Sequence, residues 1–271
     1  MEKTLGLIAG NGGLPKLVAR EAKKAGYRVI VSGIQGEVDS TLSSSVDRME
    51  SVRLGQLGQV IKFFKSEGVT EAVLAGKITK TNLFRGDIRP DLEMIKALAT
   101  TRNHSDGSLL GGIVKHLEKR GIHVVDTTRY LSEDALPESG VLTKRRPSKQ
   151  ELEDIEFGWR LAKEIGRLDI GQTVVVKNKA VLAVEAIEGT DEAIIRGGNL
   201  GNGDAVIVKV AKPKQDMRFD IPTIGLGTID AMIQARARVL AFEGGKTIIL
   251  DRENLMRKAD EYKLSILAKE K

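Results

Sequence analysis

The sequence contains no cysteine. That excludes a disulfide framework, a thiolate zinc site and a cysteine nucleophile together. Its three histidines, His104, His116 and His123, have no metal-binding spacing, and His116, in a helical stretch beside charged neighbours, reads as a surface residue. One tryptophan, three tyrosines and six phenylalanines leave few platforms on which single-stranded bases can stack, so nucleic-acid binding is not expected. No apolar run is long enough to span a bilayer and no apolar leader opens the sequence, so a cytoplasmic protein is expected.

What is present is ordinary in amount and informative in arrangement. The 271 residues carry 41 % hydrophobic and 30 % charged side chains with a net charge of +6, enough chain for one large core or two modest ones. Most basic residues are interleaved with acidic ones. A basic surface of this size suits an anionic small molecule or an anionic membrane face.

The first half alternates strand and helix. TLGLIA (4–9) runs into the turn Gly10-Asn11-Gly12-Gly13-Leu14-Pro15, the helix LVAREAKKAG and the strand YRVIVSG. This is a β-turn-α-β unit, expected parallel and right-handed. A dinucleotide fingerprint fails twice: Pro15 stands where the third glycine or alanine belongs, and the second strand ends at Ser32-Gly33 without an acid. What the turn retains is more general. Small residues let the amides of a helix start approach an anion, with the Asn11 amide beside them, although a tight turn with a proline-started helix needs no ligand. Lys77 follows the strand EAVLAG, where ligands sit in open α/β sheets. A helix over 91–104, the polar turn His104-Ser105-Asp106-Gly107 and a further helix lead to the strand IHVVD. Asp106 is either a helix cap or a ligand group.

Residues 131–148 hold Pro137, Gly140, Pro147 and the basic cluster Lys144-Arg145-Arg146, and read as a linker between domains 1–130 and 149–271. The fold class expected is α/β: a Rossmann-like parallel-sheet N-terminal domain followed by a distinct α+β C-terminal domain. In the second domain a helix over 149–166 precedes two strands joined at Asn178-Lys179, a hairpin signal. Glu185 ends the hairpin, and Gly189-Thr190-Asp191 opens a helix. The tail reads as helix (228–242), the strand TIIL and a last helix from Glu253.

The chemistry concentrates in GDAVIVKVAKPKQDMRFDIPTIGLGT (203–228). Val206, Val208 and Val210 alternate with Ile207 and Lys209 as in a strand, which Pro213 ends. Gln215, Asp216, Arg218, Asp220, Thr223 and Thr228 follow, locked by Pro222, Gly225 and Gly227. Two carboxylates four apart, an arginine midway and a lysine upstream suit a divalent cation and phosphate oxygens. A solvated loop with an internal Asp–Arg pair fits the same residues.

GNGGLP, AGK (75–77), LTKRRPS (142–148), AVEAIEGTD (183–191) and KPKQDMRFDIPTIG (212–225), in this order through both halves, resemble the LpxI-type UDP-2,3-diacylglucosamine pyrophosphatases. The HSDG turn departs from the acidic turn of that family, and Asp106 is the residue it offers for substrate binding. The resemblance implies hydrolysis of UDP-2,3-diacylglucosamine, a lipid-linked nucleotide sugar, to UMP and 2,3-diacylglucosamine 1-phosphate (lipid X) in lipid A synthesis. It implies a divalent cation, typically magnesium, peripheral contact with the inner membrane and a homodimer. Set against that chemistry, Asp216 and Asp220 are assigned to the metal and the attacking water, with Glu185 and Asp191 as second metal candidates. Lys209 and Arg218 balance phosphate charge. Thr190, Gln215, Thr223 and Thr228 contact the substrate, and Asn11, Gly12, Gly13 and Lys77 hold the nucleotide half from the other domain. The rival readings are a non-catalytic nucleotide-sugar sensor and a Rossmann-type oxidoreductase.

Overall fold

The computed structural model describes residues 3–78, 89–99, 106–213 and 215–270, without the side chains of 106–108. The chain divides into two compact units. The N-terminal unit takes the chain up to Leu131 together with Asp216–Asp220. The C-terminal unit takes Ser132–Gln215 and the chain from Ile221 onward.

In the N-terminal unit, β1 (Thr4–Ala9), α1 (Leu14–Lys24) and β2 (Arg28–Ile34) form the expected opening unit. Then come β3 (Arg48–Val52), α2 (Leu57–Ser66), β4 (Glu71–Ala75), α3 (Leu92–Leu98), α4 (Asp106–Lys119) and β5 (His123–Val124). The strands form one parallel sheet in the order β3-β2-β1-β4-β5. Leu5 and Leu7 on β1 are fully buried, as a central strand covered on both faces requires. On one face α2 supplies Val60, Ile61, Phe63 and Phe64, and α4 supplies Val114 and Leu117. Complete burial of a side chain the size of Phe64 contributes about 1.5–3 kcal/mol.

His116 departs from expectation. It is 8 % exposed, and its Nε2 lies 2.7 Å from Glu93 Oε2 on α3. Its own helix gives it charged neighbours, but α3 packs against that side, a long-range fact the local pattern does not contain.

The C-terminal unit comprises β6 (Gly140–Val141), α5 (Lys149–Arg167), β7 (Thr173–Lys177), β8 (Ala180–Val184), α6 (Thr190–Leu200) and β9 (Val206–Lys209). It continues with β10 (Thr223–Ile224), α7 (Leu226–Gln234), β11 (Val239–Glu243), β12 (Ile248–Ile249), α8 (Arg252–Glu261) and β13 (Ser265–Lys269). The main sheet runs β6-β13-β11-β9-β7-β8. β9, β11 and β13 are mutually parallel, while β6 and β7 run against them. Val206, Val208 and Val210 join Ile155, Trp159 and Ala162 of α5 on one face. Ile207, Leu240 and Phe242 meet Ile194, Ile229, Met232 and Leu255 of the other three helices on the opposite face. The sheet is thus mixed, with helices on both sides.

Three local readings need correction. The helix expected over 228–242 stops at Gln234, and Val239–Glu243 is a wholly buried strand, a run too short for periodicity to separate from helix. β13 follows the last helix. Within the stretch expected as a linker, β6 pairs antiparallel with β13, and Arg145 reaches Ser265 Oγ and Glu151, both at 2.7 Å.

Candidate functional site

In the N-terminal unit the strand order reverses between β1 and β4, the position at which open α/β sheets generally bind ligands. Asn11 and Lys77 sit on the loops leaving these two strands and are joined through their main chains. Asn11 N–H donates to the Lys77 carbonyl at 2.8 Å, and Lys77 N–H donates to the Asn11 carbonyl at 2.9 Å. The approach is possible because Gly10 and Gly76 lack side chains. A Cβ on Gly10 would meet the Lys77 carbonyl at 2.6 Å, and one on Gly76, at φ +94°, would meet Asn11 O at 2.7 Å. Asn11, Gly12, Gly13 and Lys77 are all exposed. No side chain caps the start of α1, and no acid lies in its first turn. Its open amides and positive dipole end suit an anion.

In the C-terminal unit, β8, β9 and β11 run in one direction, and their carboxyl ends share an edge of the sheet. Lys209, the last residue of β9, points to the face of Ile207 and is 3 % exposed. Its Nζ donates to Thr190 Oγ1 at 2.6 Å. The Thr190 hydroxyl donates to Glu185 Oε1 at 2.9 Å, and Glu185 Oε2 accepts the Gln172 N–H at 3.3 Å. Beside them the Thr228 hydroxyl, in the first turn of α7, donates to Asp191 Oδ1 at 3.2 Å. Glu185, Thr190, Asp191, Lys209 and Thr228, far apart in sequence, therefore gather at the starts of α6 and α7. Thr223 lies on β10, which pairs in parallel with β12. Gln215 Oε1 accepts the Lys212 N–H at 2.6 Å and so shapes the loop leaving β9.

Asp216, Arg218 and Asp220 belong to the N-terminal unit. The segment is a tight turn in which Asp220 N–H donates to the Asp216 carbonyl at 3.0 Å. Arg218 embraces Asp216, Nε to Oδ1 at 2.9 Å and an Nη to Oδ2 at 2.7 Å. That pair holds the Asp216 carboxyl below its ordinary value of 3.8, against the opposing effect of partial burial. Arg218 also meets Glu118 of α4 at 3.2 Å, and Phe219 packs on the core built from α2 and α4. Asp220 is exposed. Glu118 and Phe219 escaped the sequence reading. The available signal was a lone aromatic in an otherwise polar turn. The side chain of Asp106, at the start of α4, lies outside the described residues.

Among the described residues, no group of three or more His, Asp or Glu side chains is arranged to hold a metal ion. A magnesium ion carried by a diphosphate asks for less, since one or two carboxylates suffice beside phosphate oxygens and water. Asp216 and Asp220 lie on one turn, with Asp216 clamped at both oxygens by Arg218. Glu185 is engaged by Thr190 and Gln172, and Asp191 by Thr228.

The family model for the LpxI N-terminal domain matches residues 4–133, and that for the LpxI C-terminal domain matches residues 138–267. A Caulobacter vibrioides protein named UDP-2,3-diacylglucosamine pyrophosphatase LpxI is 33 % identical over 278 aligned positions, which cover 98 % of this chain and 97 % of that protein. Solved structures give weaker matches. The ADP complex of an N5-carboxyaminoimidazole ribonucleotide synthetase is 14 % identical at a TM-score of 0.29, over 86 % of this chain and 44 % of its own. A biotin carboxylase domain of the Hydrogenobacter thermophilus 2-oxoglutarate carboxylase is 14 % identical at a TM-score of 0.28, over 66 % of this chain and 36 % of its own. The chain spans less than half the length of either structure, and likeness at this level carries no conclusion. Matched in order through both halves, the chain belongs to the LpxI family.

Proposed function

We propose that the protein hydrolyses the diphosphate of UDP-2,3-diacylglucosamine to UMP and 2,3-diacylglucosamine 1-phosphate in lipid A synthesis. The observation that carries this reading is the match to both family domains together with the relative of that name, aligned over 98 % of the chain. The geometry supports it with an open helix start beside Lys77 in one unit and a buried lysine at a sheet edge in the other.

Water attacks the phosphorus on the glucosamine side. A new P–O bond forms, the bond to the bridging oxygen breaks, and that oxygen leaves with UMP. Asp220 orients the water and accepts its proton. Arg218 fixes Asp216 on the same turn, and its guanidinium, with the Lys209 ammonium, offsets charge on the phosphate oxygens. Asp216 and Asp220 would hold a magnesium ion, which would supply Lewis-acid neutralisation of the diphosphate. Asn11, Gly12, Gly13 and Lys77 hold the nucleotide half, and Gln215 and Thr223 donate to the substrate's oxygens, while Thr190 and Thr228, whose hydroxyl protons go to Glu185 and Asp191, position those carboxylates beside it.

The substrate's two acyl chains, at about 0.8 kcal/mol per buried CH₂, favour work at a membrane surface. Among the described residues, no helix is long and apolar enough to cross a membrane; the contact proposed is peripheral. The working form is a homodimer.

Incubation with UDP-2,3-diacylglucosamine, with and without magnesium, tests the reading. Release of UMP and lipid X only in the presence of the metal is expected. UDP binding without UMP release would replace the enzyme with a sensor.

A further inference from the structure

Burial pushes a lysine toward its neutral form, and Lys209 is 3 % exposed. What it meets works the other way. The Thr190 hydroxyl has a single proton, and that proton is given to Glu185 Oε1 at 2.9 Å. Only lone pairs remain for Lys209 Nζ, 2.6 Å away. A hydroxyl free to turn would also serve a neutral amine by donating to its lone pair, but this one is held. Glu185 is held in turn by the Gln172 N–H at 3.3 Å, and Thr190 is the first residue of α6, directly after Gly189 at φ +89°. The chain Lys209–Thr190–Glu185 therefore runs in one direction, from cation to anion. The titratable groups described at this corner are Glu185, beyond β8, and Asp191 of α6, which accepts from Thr228 of α7. β7 and β11 set Thr173 and Phe242 in register with Lys209.

We propose that Thr190 and Glu185 are positioning residues that keep Lys209 a fixed ammonium, so that Lys209 acts on phosphate oxygens by charge and never as a proton acceptor. The inference rests on the reading of the protein as a diphosphate hydrolase and deepens the role of that one lysine.

The test uses the full chain in two measurements. The pH dependence of UMP release is compared for the wild type and the Thr190→Ser, Thr190→Val and Glu185→Gln variants, and the Lys209 side chain is titrated by ¹³C NMR in the same proteins. Thr190→Ser, which retains the hydroxyl, should keep the Lys209 titration and the position of the alkaline limb. Thr190→Val should lower kcat about tenfold with KM little changed, and should move the alkaline limb and the Lys209 titration down by about one pH unit, because a buried ammonium loses the Thr190 acceptor and its link to Glu185. Glu185→Gln, close to isosteric, should shift both in the same direction and covers the case in which the valine variant folds poorly. A Lys209 titration unmoved in both Thr190→Val and Glu185→Gln would overturn the proposal. A titration that shifts as expected in a wild-type background releasing no UMP would leave the relay standing and remove the hydrolase reading instead.

Discussion

Asn11 and Lys77 clasp each other through their main chains, and the clasp lies where the strand order of the N-terminal sheet reverses. Two residues singled out by sequence position alone are thereby held as a pair. The glycines on either side are what permit it. Gly76→Ala should destabilise the protein by about 1–3 kcal/mol, since alanine resists a positive φ and its methyl would strike the Asn11 carbonyl. Urea unfolding measures this. Lys77→Met, at an exposed position, should leave stability within about 0.5 kcal/mol while weakening UDP binding in a calorimetric titration.

The carboxylates of the 216–220 turn separate by role. Asp220→Asn should reduce kcat by roughly 10²–10⁴, the range for a lost general base, with the melting temperature unchanged. Single-turnover release of UMP reports the loss. A near-normal kcat would take Asp220 out of the chemistry.

Arg218 sets the protonation of its neighbour. Arg218→Gln should let the Asp216 carboxyl climb back toward 3.8, because the guanidinium is the chief influence holding it down. A ¹³C titration of Asp216 reads this directly. Phe219→Ala should raise amide exchange across 216–220 without changing that titration, since it removes packing and leaves the ion pair in place.

Glu243 offers a stability prediction with a definite pH signature. It is 1 % exposed, and it pairs with Lys163, with Lys246 at 3.0 Å and with the Ala211 N–H at 2.8 Å. Burial pushes its carboxyl up, but Lys163, Lys246 and the Ala211 amide together bring it below the ordinary 4.5. A folded-state value below the unfolded one means the contribution is full above about pH 4.5 and disappears as pH falls through the folded value. Glu243→Gln should therefore cost about 3–5 kcal/mol at pH 7, with the gap to wild type closing in acid. Chemical unfolding at several pH values checks it.

Local patterns were readable where the chain answers to its own neighbours. The Asn178-Lys179 turn is one case: both residues adopt positive φ, 52° and 56°, as a tight two-residue hairpin demands. Val206 to Val210 is another, its alternation placing Lys209 on the face that later holds Thr190. Pairings made at long range were not readable. β6 finds β13 across more than a hundred residues, β10 lies beside β12, and α3 covers His116, all without trace in local spacing. The site shares this division. Residue types pointed to Glu185, Thr190, Asp191, Lys209 and Thr228 one by one, but only the crossing of β8, β9, α6 and α7 joins them. That Asp216–Asp220 groups with the first unit had no local sign beyond Phe219.

Trp159, the single tryptophan, lies 8 % exposed on α5, with Lys163 Nζ 5.9 Å and Lys269 Nζ 5.1 Å from its ring centroid. Tryptophan fluorescence, excited where the tyrosines do not absorb, therefore reports on the C-terminal unit alone, whereas far-ultraviolet dichroism sums both units. Overlaid denaturation curves from the two optical signals will coincide if the halves melt as a single cooperative block and will part if they do not, so this lone indole is a built-in probe of how tightly the two halves are thermodynamically coupled.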